Sequence, residues 1–237
     1  MVNWLRTGAV TCVALLQATA AAAQVGHLPE GSPYRDMRVK QALVLYGGYL
    51  TGGEGSAGVG PTDGPLAGAR WEITVGAPSV LFLGVSGASL DRLLINPDNP
   101  PETRTLGTAK QTVIMLDGGL SFVLTGRKTW KGFAPFAGFA MGMAFGGAVP
   151  EDSSGFKFNS KFQIGPAVGI RFHPNPRFHV RVEGRGIFWR LSYPQRFFDD
   201  PANAPGTEPV LNELIETETD WVFHPTLTFG IGYTLRR

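Results

Sequence analysis

Two stretches of this chain alternate residue by residue between bulky apolar side chains and small or polar ones, and few folds accept that rhythm. In Lys161–Phe172, Phe162, Ile164, Pro166, Val168, Ile170 and Phe172 share one parity, while Lys161, Gln163, Gly165, Ala167, Gly169 and Arg171 share the other. Trp221–Leu235 repeats it, with Trp221, Phe223, Pro225, Leu227, Phe229, Ile231, Tyr233 and Leu235 set against Val222, His224, Thr226, Thr228, Gly230, Gly232 and Thr234. Period two is the signature of a strand with two unlike faces. The same test finds strands at Gln41–Thr51, Gly68–Gly76, Val80–Leu90, Gln111–Leu124, Gly132–Gly146 and Phe178–Arg190, which predicts eight in all. With 32 Gly and 18 Pro, both poor in helix interiors, an all-β chain is expected.

The links between these strands narrow the choice. They run long (51–67), short (77–79), long (91–110), short (125–131), long (147–160), short (173–177) and long (191–219). Alternating brief turns and larger loops are what a closed up-and-down transmembrane barrel produces, with both termini on the short-turn, periplasmic side. Loops 91–110 and 191–219 are then extracellular, and Arg127-Lys128 and His173–Arg177 periplasmic. Ala77-Pro78-Ser79 and His173-Pro174-Asn175-Pro176 carry turn chemistry.

Gly132–Pro150 invites a rival reading. It holds no charge, and Gly138, Gly142 and Gly146 are spaced as in packed transmembrane helices. Yet it contains Pro135 and splits by parity into Phe133, Phe139, Met141, Met143 and Phe145 against Ala134, Gly138, Ala140, Gly142, Ala144 and Gly146, blurred only at Phe136 and Ala137. A strand is the better assignment.

A soluble lipocalin-type barrel would bury the bulky face; a membrane barrel turns it to lipid. Trp71, Trp130, Trp221 and Tyr233 sit near strand ends, as interfacial aromatics do. The opposite face is rich in Gly and Ala, which suits a narrow interior. His179, Arg181, Glu183 and Arg185 share one parity in Phe178–Arg190. Facing lipid, each basic residue would cost about 2–4 kcal/mol near the midplane. These charges therefore point inward, as do Arg70, Glu72 and Asp117. The expectation is an interior cluster of Arg70, Glu72, Asp117, Arg181, Glu183 and Arg185, a polar plug whose charges compensate one another.

The N-terminus sets the compartment. Arg6 precedes the small, apolar run Ala9–Ala23, and Ala21-Ala22-Ala23 offers a cleavage site before Gln24. The expected layout is a cleaved signal peptide over 1–23, a periplasmic segment over 24–38 and the barrel over 39–237. Cys12 leaves with the signal peptide, so no disulfide framework is expected. Loss of Arg6 takes 21 Lys+Arg to 20 against 19 Asp+Glu, and that balance gives no nucleic-acid footprint.

Trp130–Ala144 (WKGFAPFAGFAMGMA) resembles the aromatic-Pro-aromatic, glycine-alternating strand of OmpA-type and opacity-type outer-membrane β-barrels, and Val180–Trp189 (VRVEGRGIFW) is similar to their penultimate strand. The resemblance implies an eight-strand integral outer-membrane barrel, with outer-membrane lipids, lipopolysaccharide and, during biogenesis, the barrel-assembly machinery as partners. A monomer is expected. The chain departs from the pattern at its end, where two arginines follow Tyr233-Thr234-Leu235.

No catalytic, cofactor or metal site is expected. His179 and His224 lack the His-x-Ser pairing of the lipid A deacylase type of barrel, and no HExxH, zinc cysteine set, P-loop or EF-hand loop occurs. The segment 191–220 gathers Asp199, Asp200, Glu208, Glu213, Glu216, Glu218 and Asp220 against Arg196 alone, and is read as a solvated acidic loop. A structural or surface-interaction role leads; a narrow channel and a lipid-modifying enzyme are the alternatives.

Overall fold

The computed structural model describes residues 31–212 and 216–236. The expected signal peptide, Glu213 and the start of the 24–38 segment lie outside them. The chain divides at Tyr34 into a short N-terminal unit and a unit Arg35–Arg237. In the first, the Tyr34 amide donates to Ser32 Oγ at 3.3 Å. All that follows concerns the second.

Eight antiparallel strands close into a ring: β1 (Gln41–Leu50), β2 (Gly64–Gly76), β3 (Ser79–Ile95), β4 (Thr105–Val123), β5 (Phe133–Gly146), β6 (Ser160–Phe172), β7 (Phe178–Ser192) and β8 (Thr219–Arg236). Each pairs with its neighbour in sequence, and β8 returns to β1 with Thr226 opposite Leu50 and Thr234 opposite Ala42. The fold is a closed up-and-down barrel, as expected, and Gly132–Pro150 supplies strand β5 rather than a helix.

Which face looks inward is decided by burial. Leu45, Leu83, Val168 and Ile231 on the outer face are each about 60% exposed, while Arg70, Glu72, Arg181 and Glu183 are buried in the lumen. A continuous exposed apolar wall of this kind is untenable in water and requires lipid. The soluble-barrel alternative is excluded. Trp71, Trp130, Trp221 and Tyr233 all lie on the exposed outer face.

The inner wall's small residues have a steric purpose. A Cβ at Gly169 would come within 2.5 Å of the Phe136 ring, and one at Gly232 within 2.0 Å of the His179 ring. The lumen is narrow, so a large side chain from one strand lies where another strand has none.

The structure departs from the sequence reading at several strand ends and at one parity; β2, for example, begins at Gly64 rather than Gly68. The link expected over 91–110 is largely strand: β3 runs to Ile95 and β4 starts at Thr105, leaving 96–104. Asp91 and Arg92 look like a loop in sequence but point to opposite faces. Asp91 pairs with Lys110 across the hairpin at 2.7 Å, and Arg92 turns inward. Phe136, which blurred the parity of β5, is an interior residue at 2% exposure, and Ala137 follows on the outer wall.

Candidate functional site

The lumen is filled by two unlike materials. Toward the short turns lies an ionic cluster built from opposite walls. Arg70 on β2 grips Glu183 on β7 with both terminal nitrogens, at 3.0 and 3.1 Å. Arg181 Nε reaches the same carboxylate at 3.0 Å, and Arg181 Nη1 reaches Glu72 at 2.7 Å. Arg171 on β6 joins Glu72 at 3.2 Å. Arg185 pairs with Asp117, one layer nearer the loops. All six residues singled out from the sequence are thus buried, and each makes at least one ion pair.

Three features were missed. Arg171 belongs to the cluster; its parity in Lys161–Phe172 was the available signal. Phe136 forms the floor on which the guanidiniums of Arg181 and Arg171 rest, 4.0 and 5.0 Å from its ring centre. Phe82 does the same for Arg70 at 4.2 Å. The third is the pairing scheme, because of the two arginines flanking Glu183 only Arg181 pairs with it. Arg185 reaches Asp117 on β4, so Glu183 is balanced by Arg70 and Arg181 instead.

Toward the long loops the filling is apolar. Leu50, Leu66, Leu90, Val113, Met115, Ile187, Trp189 and Leu191 from the wall pack with Val59, Phe156, Phe158, Phe197 and Leu211 from three of the loops. Trp189 is fully buried, with Phe158 edge-on at 5.3 Å and the His224 ring tilted against it at 4.2 Å. One charged pair, Arg92 with Asp152, is enclosed here; Arg92 Nε also donates to the Val59 carbonyl at 2.9 Å and its guanidinium faces the Phe156 ring. His224, fully buried against Trp189, is part of this packing.

The loops are tied to one another above this core. Arg196, expected as a lone cation in an acidic loop, pairs with Asp98 of the 96–104 loop, with Nε to Oδ1 at 3.1 Å, and that carboxylate holds its guanidinium more firmly protonated than usual. Arg104 donates to the Pro209 carbonyl at 3.3 Å, and Asp220 accepts from the Ser56 amide at 3.0 Å. The segment 193–218 therefore does more than extend into solvent: it buries Phe197 and Leu211 in the barrel mouth. Among the described residues no group of three or more His, Cys, Asp or Glu could hold a metal.

The short-turn end has its own chemistry. A cavity of about 40 Å³ lies beneath the ionic cluster, lined by Met37, Glu72, Arg127, Arg171, His173 and His179 among others. Met37 closes over Val80, Val123 and Ala134, held by its amide donating to the Arg127 carbonyl at 2.7 Å. The rings of His173 and His179 lie 5.1 Å apart. Burial, aided by the nearby Arg171 charge, pushes the His173 imidazole down to about 4, so it is neutral near pH 7. Around this mouth Arg35, Arg38, Lys40, Arg127, Lys128, Lys131 and Arg177 stand against Asp36. The connections at the other end are dominated by carboxylates, among them Asp199, Asp200, Glu208, Glu216 and Glu218. The barrel is charge-polarised along its axis.

No family model matches this chain, and no curated protein matches it. Among solved structures it is similar to Neisserial surface protein A, at 8% identity over 86% of this chain and 98% of that one, with a TM-score of 0.51. It also aligns with Ail, the attachment invasion locus protein of Yersinia pestis, at 12% identity over 82% of this chain and 99% of that one, with a TM-score of 0.37. At this identity the first likeness speaks to the fold: the chain has the architecture of an eight-strand outer-membrane β-barrel.

Proposed function

We propose that this chain is a non-conducting integral outer-membrane barrel that acts through its surface, with its termini in the periplasm and its acidic loops presented outside. The observation that carries this reading is the doubly filled lumen. A solute would have to displace an apolar core tied to three loops and then a buried network of ion pairs. An eight-strand barrel has room for its own side chains and little else. The 96–104, 147–159 and 193–218 loops, laced together by Arg196–Asp98, Arg196–Ser153 and Arg104–Pro209 contacts, offer a fixed surface rather than a set of tethers. Fixed loops suit recognition, since little ordering entropy is lost on binding.

The expected partners are outer-membrane lipids and lipopolysaccharide around the wall, with the barrel-assembly machinery during insertion, and the barrel acts as a monomer without catalysis or cofactor. Against a lipid-modifying enzyme stands the placement of His179 and His224, both buried in the lumen and turned away from the lipid-facing wall. Planar-bilayer recording tests the reading: the purified barrel should give no steady conductance, and a stable nanosiemens-scale pore would put the channel alternative first. Cysteines at the exposed positions Glu102 and Asn203 should react with an impermeant maleimide on intact cells, and one at Lys128 should not. The reverse pattern would invert the topology.

A further inference from the structure

We infer that the cavity beneath the ionic cluster is a binding site for a small anion of halide size, chloride being the ordinary occupant. Three independent observations converge on it. The first is charge. Arg70, Arg171, Arg181 and Arg185 are buried with Glu72, Glu183 and Asp117, so the cluster holds one guanidinium more than it has carboxylates, while Arg92 and Asp152 balance each other elsewhere. An uncompensated buried cation is strongly unfavourable, and an anion taken up from solution is the simplest remedy.

The second is the set of unused donors. Arg171 Nε and both ring nitrogens of His179 are buried without a hydrogen-bond partner among the described residues, as is His173 Nε2, and all three residues line the cavity. Arg171 and His179 are 5% and 1% exposed. A neutral imidazole always carries one N–H, so His179 has a donor to offer in either tautomer. Glu72, the cavity's one carboxylate, is engaged by Arg171 and Arg181 and so is poorly placed to hold a cation.

The third is size and field. The cavity measures about 40 Å³, where roughly 10–15 Å³ admits one water, so a monatomic anion with a water or two fits. Arg127 lines the cavity as well, so a second guanidinium beside Arg171 favours an anion there. The occupant would complete the charge balance of the ionic cluster without spanning the lumen.

The test uses the full barrel refolded in a zwitterionic detergent, with chloride exchanged for gluconate at constant ionic strength. Saturable chloride-dependent broadening of the 35Cl resonance, together with a chloride-dependent rise in the urea midpoint, is expected for the unmodified protein. Arg171→Gln removes the surplus charge and should weaken the chloride response by about tenfold or more, while Glu72→Gln leaves two surplus guanidiniums and should strengthen it by a similar factor. Lys128→Gln with Lys131→Gln, on the basic collar of the short-turn mouth outside the cavity, should leave it unchanged. If Arg171→Gln does not fold, the Glu72→Gln and collar variants still decide. No chloride response in the unmodified barrel, loss of it in the collar variant, or weakening in Glu72→Gln would each overturn the site.

Discussion

Replacing Glu183 by Ala should be among the most damaging single changes in this barrel. The Glu183 side chain is 3% exposed and the Arg70 side chain 4%, so water cannot take over when the carboxylate goes. Arg181 would keep Glu72 at 2.7 Å, but Arg70 would lose both of its 3.0–3.1 Å bonds. It would retain only the rings of Phe82 and Tyr46, contacts it already makes. Breaking a buried pair from one side costs about 3–5 kcal/mol, and the lower bound already exceeds what a typical surface substitution does. Removing both partners, as Arg70→Met with Glu183→Met, leaves Arg181 on Glu72 and restores the original charge excess. It should recover at least about 2 kcal/mol of the loss, because exchanging a buried pair for apolar residues of similar volume is often neutral. Pairing Glu183→Gln with Arg185→Gln should help less, since Arg185 serves Asp117 and its removal strands that carboxylate. The assay is the urea midpoint of each variant refolded into lipid vesicles. If Glu183→Ala falls within about 0.5 kcal/mol of the unmodified barrel, or the Arg70/Glu183 double change costs as much as the single one, charge compensation is not what holds this layer.

Phe197→Ala, at a fully buried loop residue, should cost about 3–5 kcal/mol by the same assay, and a loss under 1 kcal/mol would mean the loops do not share the core. Gly165→Ala should hinder folding, because its Cβ would stand 1.5 Å from the Gly186 carbonyl oxygen, whereas Gly184→Ala meets nothing within 4 Å and should be tolerated. Heat-modifiable gel mobility distinguishes the two, and equal behaviour would refute the steric account. His173 has its pKa depressed from an unfolded value near 6.5 to about 4. The unfolded chain therefore binds the proton first, so the barrel's stability is intact above pH 6.5 and falls as pH drops toward 4. His173→Gln should flatten that slope, and an unchanged slope would assign it to other groups.

Much of this was open to reading because parity carries it. In Lys161–Phe172 of β6 and Trp221–Leu235 of β8 every second residue is bulky and apolar, and lipid on one side with a narrow lumen on the other leaves no second arrangement. The inward charges of β2, β4 and β7 follow from the same cost of exposing them to hydrocarbon. Pairing among those charges does not follow, because Arg70 and Glu183 are brought together by barrel closure across 113 residues of sequence. Phe136 defeated the reading for a related reason: an aromatic on the inner face looks like an error of register until the glycine that makes room for it, Gly169 on β6, is seen beside it. The loop core was hidden more thoroughly. Phe156, Phe158, Phe197 and Leu211 have no periodicity to betray them, and the carboxylates around Phe197 suggested a segment that stays in water.

The division of the lumen into an ionic floor and an apolar stopper means that opposite stresses should loosen opposite ends. Hydrophobic association weakens on cooling, so chilling acts on the packing of Trp189, Phe158 and Phe197 while the arginine–carboxylate floor holds. Acid acts on the floor, whose cohesion rests on its carboxylates, and meets the stopper only at the Arg92–Asp152 pair and His224. Cooling and acid therefore act chiefly on different ends of one barrel: cold on the loop core at the mouth, acid on the ionic base beneath it.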